Sequence, residues 1–281
     1  MNEYDKYFSA NKELWNKRTA IHKDSSFYNL AGFKAGENVL TPIELNEVGD
    51  VRGKKMLHLQ CHFGMDSLSW ARLGADVTGV DLSDEAIKEA RQLNDELGLN
   101  AKFICCNVYD LHPQRIEFSK VSPFGGDLER AFDIVFTSYG VIGWLPDLDK
   151  WAEIISYYLK PRGMFYMAEF HPVVWMFDDD FKEIKYCYEK REVIETELQG
   201  TYTDRNADIS GKEYGWNHSI SEVLNALIRH GLQIEKFNEF MYSPYPCFNN
   251  VVQTNEGNWW IKGMEDKIPI VYSVKAIKSE N

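Results

Sequence analysis

The stretch Lys55-Met56-Leu57-His58-Leu59-Gln60-Cys61-His62-Phe63-Gly64-Met65-Asp66-Ser67 decides the fold. Its first half, residues 55–60, is a short apolar run before turn signals and reads as a buried strand. Its second half turns straight into a helix over residues 68–73, which ends near Gly74. A strand-to-helix loop presents unpaired backbone N–H groups to the polar end of a ligand. Gly64 permits close approach or positive φ. With one glycine, the loop by itself reads equally as an ordinary tight turn.

Working outward, the alternation continues. Residues 76–80 form a second strand, and Ser83 caps a helix carrying Ala86, Ile87, Ala90, Leu93 and Leu97 at spacings of three and four. Gly98 stops it. Residues 101–105 and 132–137 read as strands three and four. A helix over 151–159, closed by Pro161-Arg162-Gly163, leads to a fifth strand over 164–170. Strands alternating with helices imply right-handed crossovers and a mostly parallel sheet. The expectation is an α/β fold: a doubly wound, seven-stranded, mostly parallel sheet. Residues 232–240 and 269–277 supply its last two strands, after a helix opened by the capping box Ser219-Ile220-Ser221-Glu222. Between strand five and that helix, residues 171–217 show polar–apolar alternation at 184–188 and 193–198 and read as an inserted antiparallel hairpin. Residues 1–50 read as a helical lid, with one helix over 4–21 and a second opened by the capping box Thr41-Pro42-Ile43-Glu44. The expected division is a lid over 1–50, a core of 51–170 with 218–281, and the inserted hairpin over 171–217.

Composition limits the partners. The chain has 281 residues, with 43 acidic against 31 basic, and no basic run stands out, which argues against a broad nucleic-acid surface. No apolar run is long enough to span a membrane; the longest are short, such as residues 173–177. The start Met1-Asn2-Glu3-Tyr4-Asp5-Lys6 lacks a basic segment followed by an apolar one, so no secretory signal is read and a cytoplasmic address is expected. Five cysteines without such a signal read as free thiols. No metal-ligand spacing is present, and a metal site is not expected. A monomer or homodimer is expected.

In doubly wound sheets, ligands bind at the C-terminal strand ends. Asp81, in Gly79-Val80-Asp81-Leu82-Ser83, ends strand two about twenty residues past the glycine loop and is placed to accept a ribose's hydroxyls. The competing reading is that it helps cap the next helix, a role Ser83 already fills. Asn107 follows strand three, where a polar side chain is placed to meet an adenine's amine with Val108 beside it; a surface turn reads equally well.

Leu57 to Gly64, then Gly79 to Ser83, then Asn107-Val108, then Phe132-Asp133-Ile134-Val135-Phe136 resemble the ordered motif series of class I S-adenosylmethionine-dependent methyltransferases. Trp144-Leu145-Pro146-Asp147 and Pro161-Arg162-Gly163-Met164-Phe165 are similar to the segments after strand four and before strand five. The resemblance covers about residues 50–170. It implies S-adenosyl-L-methionine as cofactor and a small-molecule acceptor methylated on oxygen or nitrogen. It assigns Gln60, Cys61, His62 and Gly64 to the cofactor's methionine end, Asp81 to its ribose, and Leu82, Asn107 and Val108 to adenine. Ser138 and Tyr139 fall near the methionine moiety. An N-terminal lid helix would bring Arg18 to the cofactor carboxylate and Trp15 over it. The chain departs from the pattern at three places: His58 replaces an acid, Gln60 and His62 replace glycines, and Asn107 replaces a common Asp.

Methyl transfer needs an aligned nucleophile, excluded water and often a base. His171, directly after strand five, and His218, just before the last helix, are candidate bases; each also reads as a structural histidine. Aromatics past strand five, with Trp175, Tyr214 and Trp216 foremost, are candidates to wall an acceptor pocket, against a reading as plain packing. A nicotinamide-dependent oxidoreductase and a non-catalytic cofactor-binding protein are the competing functions.

Overall fold

A computed structural model describes residues 4–112 and 132–280. The chain starts with α1 (Asp5–Lys23), α2 (Leu30–Lys34) and α3 (Pro42–Val48). The doubly wound region follows: β1 (Lys55–Leu59), α4 (Met65–Arg72), β2 (Asp76–Asp81), α5 (Asp84–Glu96), β3 (Lys102–Cys105), β4 (Phe132–Thr137), α6 (Leu148–Tyr158) and β5 (Leu159–Phe170). Then come β6 (Ile194–Gln199), β7 (Ser210–Gly215), α7 (Ile220–Arg229), β8 (Leu232–Phe240), β9 (Val251–Gln253), β10 (Trp259–Ile261) and β11 (Val271–Lys278).

The main sheet has seven strands in the order β3-β2-β1-β4-β5-β11-β8. β11 is antiparallel to both neighbours, β5 and β8, and the other pairings are parallel. A dinucleotide-binding sheet has the order 3-2-1-4-5-6, so the β11–β8 edge departs from it. Period-two alternation explains why one strand feeds two cores. In β1, Met56 enters a core with Trp70, Phe136 and Tyr166, while Leu57 and Leu59 enter the opposite one with Trp151, Val135 and Phe165. Trp70 and Trp151 are fully buried, one per face. Emptying either site to alanine costs about 3–5 kcal/mol.

The caps form where the sequence places them. Thr41 Oγ accepts the Ile43 N–H, Ser83 Oγ the Ala86 N–H, and Ser219 Oγ the Glu222 N–H. Several expectations need correction. Residues 184–188 form no strand; they make a single bridge, Ile184 to Phe177, and the hairpin pairs β6 with β7 instead. Ile184 is 66% exposed, so the alternation there reports no buried face. α6 begins at Leu148, because the Asp147 carboxylate caps it by accepting the Lys150 N–H. Pro161-Arg162-Gly163 does not separate helix from strand. It lies within β5 as an irregularity, with Arg162 at φ 62° and a register shift against β4. The β9–β10 ribbon and α2 were not anticipated.

α1 and the β6–β7 hairpin are joined to each other. Asn11 of α1 exchanges two hydrogen bonds with the backbone of Tyr214 on β7, at 2.8 and 2.9 Å. Arg18 of α1 pairs with Glu213 of β7 at 2.9 Å. Tyr28 bonds Tyr202 of the β6–β7 turn. α1 also rests on α5 through Lys12–Asp84 at 2.8 Å and Ser83–Asn16 at 2.7 Å. Residues 1–3 lie outside the described residues. Among the described residues, no helix is long and apolar enough to cross a membrane. All five cysteines are free.

Candidate cofactor and acceptor cavity

The loop after β1 is held in a left-handed zigzag. Gln60, His62 and Gly64 have φ of 57°, 51° and 82°. The replacements for glycine therefore keep glycine-like backbone, a conformation that costs a non-glycine residue about 1 kcal/mol or more. Two contacts hold it: the Gln60 side-chain amide donates to Val141 O at 2.9 Å, and the His62 N–H donates to Asp81 Oδ2 at 2.8 Å. At Gly64 a Cβ would stand 2.7 Å from the Phe103 ring. Glycine is required there on two counts.

Asp81 also accepts the Ser83 N–H at 2.8 Å. Its carboxylate thus sets the loop after β1 and the entry to α5 together, and burial pushes its pKa up against those N–H groups. His58 explains its own presence. It is 1% exposed, its Nδ1 lies 2.7 Å from Ser67 Oγ, and its ring meets Phe136 edge-on. Burial pulls its pKa to about 3, so it is a neutral strut between β1 and α4.

These strand ends border a cavity of about 660 Å³, within the range of small-molecule sites. Trp15, Arg18, Gln60, Cys61, His62, Gly64, Asp81, Leu82, Asn107, Val108, Ser138 and Tyr139 all line it. Asn107 Oδ1 accepts the Tyr109 N–H at 3.0 Å, fixing the turn after β3. Arg18 stacks over Trp15 at 5.0 Å, and Trp15 meets Trp144 and His62 edge-on at 5.5 and 5.3 Å. Among the cavity-lining residues, Arg18 Nε, His58 Nε2, Gln60 Oε1 and His62 Nε2 are buried without partners among the described residues. Orphaned polar atoms around one cavity are the mark of a polar ligand group.

Of the acceptor candidates, Trp175 lines the cavity; Tyr214 and Trp216 do not. Those two pack against Tyr7 of α1 at 4.8 and 5.7 Å, which makes them part of the joint between α1 and the hairpin. His171 and His218 also lie off the cavity. His171 Nδ1 accepts the Val173 N–H and its Nε2 stands 3.0 Å from Glu239; burial lowers its pKa, with Glu239 opposing. His218 Nε2 donates to Leu145 O at 2.7 Å and its Nδ1 stands 3.0 Å from Glu222. Both rings join elements rather than face open space.

Several residues of the site were not anticipated. Glu169, at the end of β5, is 1% exposed and accepts the N–H groups of Val141 and Ile142 at 2.7 and 3.1 Å and that of Gly140. It shapes the loop after β4, and its signal was an acid inside the apolar run Met167-Ala168-Glu169-Phe170. Asp66, in the first turn of α4, lines the cavity and accepts the Ser138 hydroxyl at 2.8 Å. Phe170, Trp175 and Phe248 form an edge-packed aromatic wall, with centroids 4.9–5.8 Å apart. Tyr245 meets Tyr139 edge-on beside it at 5.2 Å.

A family model described as a methyltransferase domain matches residues 50–225. The chain is 27% identical over 169 residues to a ubiquinone biosynthesis O-methyltransferase of Chromobacterium violaceum, covering 59% of this chain and 61% of that one. It is 29% identical over 143 residues to the protein of the same name from Photorhabdus laumondii, covering 50% and 54%. The chain thus spans between half and two thirds of the length of these curated relatives. Two solved S-adenosylmethionine-dependent methyltransferases share the fold. One, from Clostridium acetobutylicum, has a TM-score of 0.56 at 14% identity and covers 99% of this chain and 100% of that one. The other, from Mesorhizobium loti, has a TM-score of 0.55 at 18% identity and covers 87% and 100%. Sheet order, strand-end cavity and family model agree: the chain belongs to the methyltransferase-domain family.

Proposed function

We propose that the chain transfers a methyl group from S-adenosylmethionine to an oxygen or nitrogen of a small molecule, by in-line displacement. The observation that carries this reading is the cavity on which the left-handed loop, Asp81 and the orphaned polar atoms of Arg18, Gln60 and His62 converge. The donor set fits an amino-acid nucleoside. Arg18 Nε is an unused cationic donor for a carboxylate, and Gln60 Oε1 is an unused acceptor for an ammonium. Asp81 retains lone pairs for two ribose hydroxyls. Leu82, Asn107 and Val108 would take the adenine; Trp15, Cys61, His62, Gly64, Ser138 and Tyr139 would surround the methionine part. When bound, the cofactor supplies a methyl already activated on a sulfonium. The protein's work is to fix the acceptor in line and to keep water out. Residues 1–50 and 171–217 are the two covers of that site.

The names of the curated relatives favour oxygen as the methylated atom. The test is calorimetric titration with S-adenosylhomocysteine, repeated on Asp81→Ala and with NAD. Saturable binding of the thioether, weakened at least tenfold in the variant and absent for NAD, is expected. Absence of thioether binding in the native chain overturns the reading.

A further inference from the structure

If an acceptor hydroxyl gives up its proton during transfer, some group on the cavity must receive it, and neither His171 nor His218 reaches the cavity. The other candidates fail one by one. His58 and His62 are held near a pKa of about 3 by burial and are poor proton acceptors at neutral pH. Asp81 is engaged by two backbone N–H groups. Glu213 is paired with Arg18, and Asp178 caps the N–H groups of Lys182 and Glu183. Asp179 is exposed.

Asp66 remains. It has no cationic partner among the described residues, and its one hydrogen bond comes from Ser138, the first residue after β4. Burial lifts its pKa to about 6. The titratable groups that its charge acts on are Tyr28, Tyr202, Tyr245, Glu44 of α3 and Cys61. Its partner Ser138 is followed by Tyr139, whose ring meets Phe170 at 5.7 Å and Tyr245 at 5.2 Å, which ties Asp66 to their side of the cavity. The wall on that side is aromatic: Phe170, Trp175, Tyr245 and Phe248.

We propose, resting on the methyl-transfer reading above, that Asp66 takes the proton from the acceptor's hydroxyl and that the acceptor is a planar aromatic alcohol. The O–H electron pair stays on oxygen, which forms the new O–CH3 bond. The C–S pair returns to sulfur, giving a neutral thioether, and the proton rests on Asp66 until product leaves and solvent removes it. A carboxyl poised near 6 suits this role, since general bases work best with a pKa near the working pH.

The test uses Asp66→Asn, which keeps an acceptor for Ser138, with 4-nitrophenol as probe on the S-adenosylhomocysteine-loaded protein. The absorbance of the phenolate reports the probe's own ionisation. An anionic neighbour disfavours the phenolate, so the bound probe should ionise at least ~1 pH unit higher in the native chain than in the variant. Thioether affinity should stay within about threefold. Ser138→Ala, which favours protonated Asp66, should move the probe part-way toward the Asp66→Asn value, and it serves alone if the first variant does not fold. Equal probe ionisation in native and variant chains overturns the proposal. So does a tenfold loss of thioether affinity in Asp66→Asn, which would make Asp66 a cofactor ligand, and so does failure of the phenol to bind. Failure of the native chain to bind the thioether instead brings down the methyl-transfer reading itself.

Discussion

Glu44 offers a prediction independent of any ligand. It is fully buried in α3, accepts the Thr41 hydroxyl and accepts the Tyr139 hydroxyl at 3.2 Å, while its Oε1 has no partner among the described residues. Burial, aided by the charge of Asp66, lifts its pKa from 4.5 to about 7 against the hydrogen bonds it receives. The folded state therefore holds a proton that the unfolded state has released between those two values. Stability from this group is complete below pH 4.5 and is lost as pH rises through 7. At 1.36 kcal/mol per pH unit, the whole loss is about 3 kcal/mol. Glu44→Gln keeps an oxygen for Thr41 and Tyr139 and cannot ionise. Urea unfolding of both proteins should show the glutamine variant ahead by under ~1 kcal/mol at pH 5 and by about 3 kcal/mol at pH 8. Parallel stability curves across that range would refute the reasoning, because they would mean that Glu44 folds with its usual pKa.

Four further outcomes are expected. Gly64→Ala should destabilise by about 2–4 kcal/mol, from left-handed strain plus the collision with Phe103, read as a lowered urea midpoint. Arg18→Met leaves the half-buried Glu213 unpaired and should lower the thermal unfolding midpoint, with part recovered in the double variant Arg18→Met, Glu213→Gln; no recovery would show that the pair is not the cause. His171→Ala should lower the unfolding midpoint by loss of its bonds to Val173 and Glu239 while leaving thioether affinity unchanged by calorimetry. Asp81→Ala should do more than weaken the cofactor: it frees the His62 N–H, so the His62 amide should lose hydrogen-exchange protection even without ligand.

The fold was legible because the parallel strands are short apolar runs ended by glycine and capped helices, each a local signal. The strand-end wall of the cavity was legible for a related reason. Its residues sit at strand ends, so their order along the chain maps onto their place in the sheet. The acceptor end followed no such rule. Phe27, Tyr28, Tyr202, Tyr245 and Phe248 reach the cavity from loops far apart in sequence, and no period links them. Tyr214 and Trp216 sounded like pocket residues because they are aromatic and follow strand five, yet strand alternation and the docking of α1 turn them toward Tyr7. His171 and His218 drew attention by position at strand and helix ends. Positions of that kind also need polar struts, and the two rings stand 3.0 Å from Glu239 and Glu222, off the cavity. Asp66 was in the opening stretch from the start, hidden as a first-turn helix acid, a place where acids are common for dipole reasons.

The joint between α1 and the β6–β7 hairpin has a bearing on inheritance and on engineering. Asn11 with Tyr214, Arg18 with Glu213 and Tyr28 with Tyr202 tie together segments separated by 203, 195 and 174 positions in the chain. Neither segment can drift in sequence alone without leaving a buried polar group unanswered in the other. A chimera that borrows only the hairpin from a relative, in order to change the acceptor, would import half of each pair. The unit to exchange is the two segments together, with the strand order beneath them left alone.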